Sequence, residues 1–144
     1  MTSLTRRDLN VLAATALAAV ASGRAHAQTA PYGSQGVKVN ILMEPDLAGF
    51  APQTTRLTLV ELASGSSIPK HMHPSAQEIV YVLDGTLVID VDGQGTKRLG
   101  AGETLLLPAG LGHFPRAENA SAKVLAIHSI TDKNKPFRVD LQSS

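Results

Sequence analysis

The sequence has no cysteine and no tryptophan in its 144 residues. Missing thiols exclude disulfides, thiolate metal sites and a cysteine nucleophile together. Aromatic residues make up 3% of the chain, namely Phe50, Phe114, Phe137, Tyr32 and Tyr81, too few for a platform on which bases stack. No basic run exceeds a dipeptide, and 13 Lys and Arg stand against 12 Asp and Glu, a formal charge of +1. Phosphate binding needs a clustered basic face, so no nucleic acid partner is expected. What is present, 43% hydrophobic and 17% charged residues, suffices for the core of one domain.

The first 27 residues differ from the rest. Arg6 and Arg7 precede an uncharged, mostly Ala, Leu and Val stretch from Leu9 to Gly23, followed by Arg24 and then Ala25, His26, Ala27. A positive start, a short apolar stretch and a small-any-small cleavage site are the parts of a signal peptide. The stretch falls short of the roughly 20 residues a spanning helix needs, so no stable membrane anchor is expected. Cleavage after Ala27 leaves ten basic and eleven acidic residues, a formal charge of −1. Thr5-Arg6-Arg7-Asp8-Leu9 resembles the twin-arginine signal, which implies export of an already folded protein to the bacterial periplasm or beyond.

Residues 28–36, QTAPYGSQG, read as a flexible lead-in, and residues 37–144 as one domain. Strand-length runs follow at Val37 to Met43, Arg56 to Leu62, Glu78 to Leu83, Thr86 to Val91, Glu103 to Leu107 and Lys123 to Ile130. Asp84-Gly85 and Asp92-Gly93 are dipeptides that hairpin turns favour. No segment of this region keeps a helical period, so an all-β, antiparallel sandwich or barrel is expected. Nothing stands out as a Ser-His-Asp arrangement, and the glycines sit in hairpins rather than in a phosphate-cradling loop.

His71 and His73 are two apart, so an extended segment turns both imidazoles to one face and Met72 to the other. Glu78 shares a strand face with Val80 and Val82, where a carboxylate is costly unless it meets a cation. His113 follows Pro108, Ala109 and Gly110, a turn able to swing it over the first pair. Three imidazoles and a carboxylate suit a divalent transition metal. His128, with Val124, Ala126 and Ile130 on its face, reads more readily as a core histidine than as part of a pocket. Arg56 and Arg116 are readable as carboxylate-binding or as solvated; Tyr81 has the wrong strand parity to share the face of Glu78.

The spacing carries more than the residue types. Gly65, His71, His73, Glu78 and Gly85 fit G(X)5HXH(X)4E(X)6G, and Gly102, Pro108, Gly110 and His113 fit G(X)5PXG(X)2H. These are the two cupin motifs, in order, and the chain resembles a small single-domain cupin from Gly65 to His113. One departure is Ala117, where the family has a structural Asn.

The resemblance implies an antiparallel β-barrel, or jelly roll, with His71, His73, Glu78 and His113 holding one divalent metal ion on its inner face. Mn or Fe is favoured for a protein loaded in the cytoplasm before export, and the donor set also admits Zn, Ni, Co or Cu. It implies a metal-dependent enzyme acting on a small oxygen-bearing molecule, a dioxygenase-like oxidoreductase or else an isomerase or lyase, with Glu78 loosening to accept a proton. The alternative is a non-catalytic periplasmic module that binds metal or a small ligand. Small cupins pair through sheet edges, so a homodimer is expected, with the strand near Val37 as one such edge.

Overall fold

The computed structural model describes residues 34–142. The leader expected over residues 1–27, and residues 28–33 of the lead-in, lie outside the described residues. The last three residues of that lead-in form a turn against the domain: Ser34 Oγ donates to Ser67 O, and Gly36 O accepts from Ala63 N at 2.8 Å.

Nine antiparallel strands follow in chain order: β1 (Val37–Met43), β2 (Thr54–Leu62), β3 (His71–Met72), β4 (Ala76–Val91), β5 (Gly95–Gly100), β6 (Thr104–Leu107), β7 (His113–Arg116), β8 (Ala122–Ile130) and β9 (Val139–Asp140). No helix occurs among the described residues. One sheet runs β1-β2-β8-β4 with β6 on the far side of β4; the other joins β5, β4, β7, β3 and β9. The architecture is a jelly roll, as the sequence predicts. β1 pairs only with β2, so among the described residues it is an edge.

β4 belongs to both sheets, and its sequence explains how. Ala76, Glu78, Val80 and Val82 face inward while Gln77, Ile79, Tyr81 and Leu83 face out. Beyond the bend the inward residues are Leu87, Ile89 and Val91, so the parity has moved by one. A β-bulge between Val82 and Asp84, against β8, supplies the extra residue. Residues 76–85 pair with β8 and residues 86–91 with β5. The Asp84-Gly85 hairpin expected from the sequence is therefore a corner inside a 16-residue strand. Gly85 has φ +77, and a Cβ there would lie 1.9 Å from the Ser121 carbonyl oxygen, so only glycine fits. Asp92-Gly93 does make the β4–β5 turn, closed by Gln94 N to Val91 O at 3.0 Å.

The inward residues of both sheets meet in one core, including Val60, Leu62, Val80, Val82, Leu87, Ile89, Leu107 and Val124. Each such side chain removed from water contributes about 1.5–3 kcal/mol. That core fills one end of the barrel. Toward the other end the inward positions turn polar: Glu78, His128 and Thr58 are buried on β4, β8 and β2.

Ala117 keeps its turn without the family's Asn side chain. Its N–H donates to Ser66 O at 2.9 Å and its carbonyl accepts from Gly65 N at 2.8 Å. The backbone does the fastening there, and the side chain, 1% exposed, simply fills space.

Candidate metal centre

His71 lies on β3, His73 just past it and His113 at the start of β7, where His71 and His113 are direct cross-strand partners. The Pro108–Gly110 turn brings the two motifs together, because Gly110 N donates to His73 O at 2.9 Å. Glu78 comes from the opposite sheet. The four residues that the sequence singles out are thus gathered inside the barrel, none more than 8% exposed.

Each of the three rings is anchored through Nδ1. His71 meets Pro69 O at 2.8 Å, His73 meets Phe137 O at 2.7 Å and His113 meets Leu111 O at 3.0 Å. A carbonyl oxygen only accepts, so each Nδ1 carries the hydrogen and a neutral ring has its lone pair on Nε2. Backbone carbonyls that fix the tautomer and aim of a ring in this way are the usual support of metal-ligating histidines. One ligand nitrogen from each of His71, His73 and His113 lies within 4.8 Å of the others.

Glu78 Oε2 sits among ring nitrogens, 3.4 Å from His73 Nε2, 3.3 Å from His113 Nε2 and 3.6 Å from His128 Nε2. At these separations the rings attract the carboxylate without a well-aligned hydrogen bond, and Glu78 Oε2 has no hydrogen-bond partner. Burial opposes the ionised form, but His113, His128 and His73 outweigh it and hold the Glu78 carboxyl well below the usual carboxylate range. Burial, with the positive potential of His113 and Arg138, pushes His71 down to about 3, so its ring is neutral at pH 7. Burial also acts against protonation of His113, yet the Glu78 carboxylate prevails and raises its pKa above 6.5.

A buried carboxylate oxygen without a partner, facing imidazoles whose Nδ1 atoms are tied back, fits a divalent transition ion of the N and O donor class. Such an ion would displace the His113 proton, which sets the pH dependence. The sign follows from the two shifts: Glu78 stays ionised far into acid, while His113 takes a proton as pH falls through its raised value. As pH is lowered, metal affinity is expected to begin falling while the pH is still above 6.5, by about tenfold per pH unit as the His113 proton competes. Chelator-competition titrations between pH 5 and 8 check this; a loss that begins only below pH 4.5 would assign the competition to Glu78.

Two residues enter that the sequence reading placed elsewhere or passed over. His128, expected in the core, is opposite Glu78 across the β4–β8 ladder and lines the same cavity. Phe137 caps the cluster, its ring centroid 4.5 Å from that of His73 and 4.8 Å from that of His128. Its position depends on the C-terminal segment, where β9 pairs with β3 and Leu141 N donates to Lys70 O at 2.8 Å.

Arg56 stacks on the Phe137 ring at 3.9 Å and pairs with Glu44 at 2.6 Å. Arg116 pairs with Asp90 and Glu118, away from the cluster. Tyr81 is exposed on the outer face, as its parity requires.

A small cavity lies beside the cluster, and Val39, Thr58, Val60, Ile68, Ala126, Phe137 and Arg138 complete its wall. A second small, apolar space adjoins it at Glu78. The space admits a few waters or a molecule of a few heavy atoms, held against aliphatic side chains and one aromatic ring.

Comparison with known proteins agrees with this geometry. The family model "Cupin domain" matches residues 58–128. Germin-like protein subfamily 1 member 1 of Arabidopsis thaliana is 34% identical over 114 residues, 75% of this chain and 52% of that one. The chain thus spans about half the length of the curated relatives it matches. A recombinant oxalate oxidase in complex with glycolate superposes with a TM-score of 0.57 at 25% identity, covering 78% of this chain and 59% of that one. The Mn(II)-containing oxalate decarboxylase of Bacillus subtilis does so with a TM-score of 0.58 at 25% identity, covering 75% and 29%.

Proposed function

We propose that this chain, a cupin by its fold and by the segment matched, is an exported metal-dependent enzyme that holds one divalent ion at His71, His73, Glu78 and His113. It acts on a small oxygen-bearing molecule admitted by the adjoining cavity. The observation that carries this reading is the anchoring of all three rings through Nδ1, which leaves their Nε2 atoms and the partnerless Glu78 Oε2 as the donors of the site. When bound, the ion supplies Lewis-acid polarisation and, if redox-active, electron exchange with dioxygen. Mn or Fe is the favoured metal, in keeping with the Mn(II) decarboxylase among the structural relatives.

The chain's own residues divide the remaining work. Glu78 is ionised at neutral pH, and it becomes a base for a proton of a bound hydroxyl group only when it turns away from the imidazoles that hold its pKa down. Val39, Val60, Ile68 and Phe137 exclude water from the bound molecule and limit its size. Likeness to an oxalate oxidase favours an oxidoreductase acting on a small hydroxy- or oxo-compound. Export in folded form through the twin-arginine route lets the ion be loaded in the cytoplasm. A second copy joins through the free β1 edge or the exposed outer face carrying Ile79, Tyr81, Leu83 and Leu106.

The test is oxygen uptake by the metal-loaded chain with small hydroxy acids, enediols, β-diketones, flavonols and catechols. Uptake with at least one class that disappears in Glu78→Gln is expected. Full retention of metal with turnover on none of them would replace the enzyme with a non-catalytic binding module.

A further inference from the structure

His128 is 4% exposed, yet neither Nδ1 nor Nε2 has a hydrogen-bond partner. Leaving a buried polar atom unpaired costs about 1–3 kcal/mol, so a native core histidine is expected to be satisfied. The surroundings offer no protein acceptor in bonding geometry: its ring is flanked by His73 at 4.6 Å and Phe137 at 4.8 Å between centroids, and Glu78 Oε2 is 3.6 Å from Nε2. The ring nevertheless faces the cavity, and His73, Glu78 and His128 each offer a donor atom within 4.8 Å of the other two. That trio shares His73 with the trio of His71, His73 and His113.

We propose that His128 is a fifth donor of the metal centre, a fourth imidazole on the β8 side that the two sequence motifs do not contain. The inference rests on the metal-binding reading above. Its ring differs from the other three in having no carbonyl on Nδ1, so only packing and the attraction of Glu78 hold it and it is the donor most able to move on and off the ion. A fourth imidazole beside a single carboxylate also shifts the donor set toward Co, Ni, Cu and Zn relative to Mn.

The experiment uses the full chain, stripped with chelator and reloaded with Cu(II) for pulsed EPR, and with Mn(II) and Zn(II) in chelator competition. In His128→Ala the number of coupled imidazole nitrogens falls by one, Zn(II) affinity falls about tenfold or more, and Mn(II) affinity changes less. His128→Leu, close in volume and without polar atoms, guards against a folding defect. Its metal-free form keeps the wild-type circular dichroism spectrum, while the rise in melting temperature on adding Zn(II) shrinks. An unchanged imidazole count and unchanged Zn(II) affinity in both variants would overturn the inference alone. A wild-type chain that takes up no metal would overturn it together with the reading on which it rests.

Discussion

Changing His113 to alanine is expected to take the bound metal from about one ion per chain to about a tenth of that or less, and His71→Ala to do the same. Loss of a supporting contact to a ligand already weakens metal binding by about 10- to 100-fold, and loss of the ligand itself should cost at least as much. His113 carries a second burden, since it is among the groups that hold Glu78 ionised inside the barrel. Removing it leaves the carboxylate with less compensation for burial, so the Glu78 pKa should rise along with the loss of metal. Elemental analysis after gel filtration measures the first effect, with circular dichroism as the check on folding. Folded His71→Ala and His113→Ala proteins that both keep a full complement would remove these residues from the site.

The second large effect concerns the corner that brings the two sheets together. Gly85→Val puts a side chain where Ser121 O lies 1.9 Å from the ideal Cβ, at a φ of +77. The contact is with backbone, which cannot swing aside, and the β4–β8 ladder runs through it. A cost of about 4 kcal/mol or more is expected, a large share of the roughly 5–15 kcal/mol of an ordinary domain. Gly93→Ala is the control: φ is +70 in the β4–β5 turn, but nothing lies within 4 Å of the added carbon. That substitution bears only the left-handed strain, about 1–2 kcal/mol. Urea melts of the two variants separate the terms, and equal losses would deny Gly85 its role as the corner.

These two residues also show what could be read from the chain. The spacing of His71, His73, Glu78 and His113 was legible because a two-residue strand period and a fixed turn bring those positions to one face. The strands on either side of Asp84-Gly85 were legible as well, each by its own alternation. The dipeptide alone predicts a hairpin there, whereas the change from even to odd inward positions, Val82 to Leu87, is what one extra residue in a continuous strand produces. Parity is the better guide.

His128 had the same kind of signal. It shares inward parity with Val124 and Ala126, but only the register that sets it opposite Glu78 turns a core position into a cavity position. The strands β3 and β9, of two residues each, are too short to leave a pattern. Phe137 acts on His73 through a backbone carbonyl 64 residues away, which no side-chain pattern records.

Whether His71, His73, Glu78 and His113 form one metal centre is measured most directly by the metal stoichiometry and affinity of the wild-type chain. Stripped protein titrated with Mn(II), Fe(II) under argon, and Zn(II) should take up one ion per chain with release of protons, and its melting temperature should rise. At a hundredfold excess over Kd the stabilisation is about 2.7 kcal/mol. A folded chain that binds none of the three ions and whose melting temperature does not move would contradict the account.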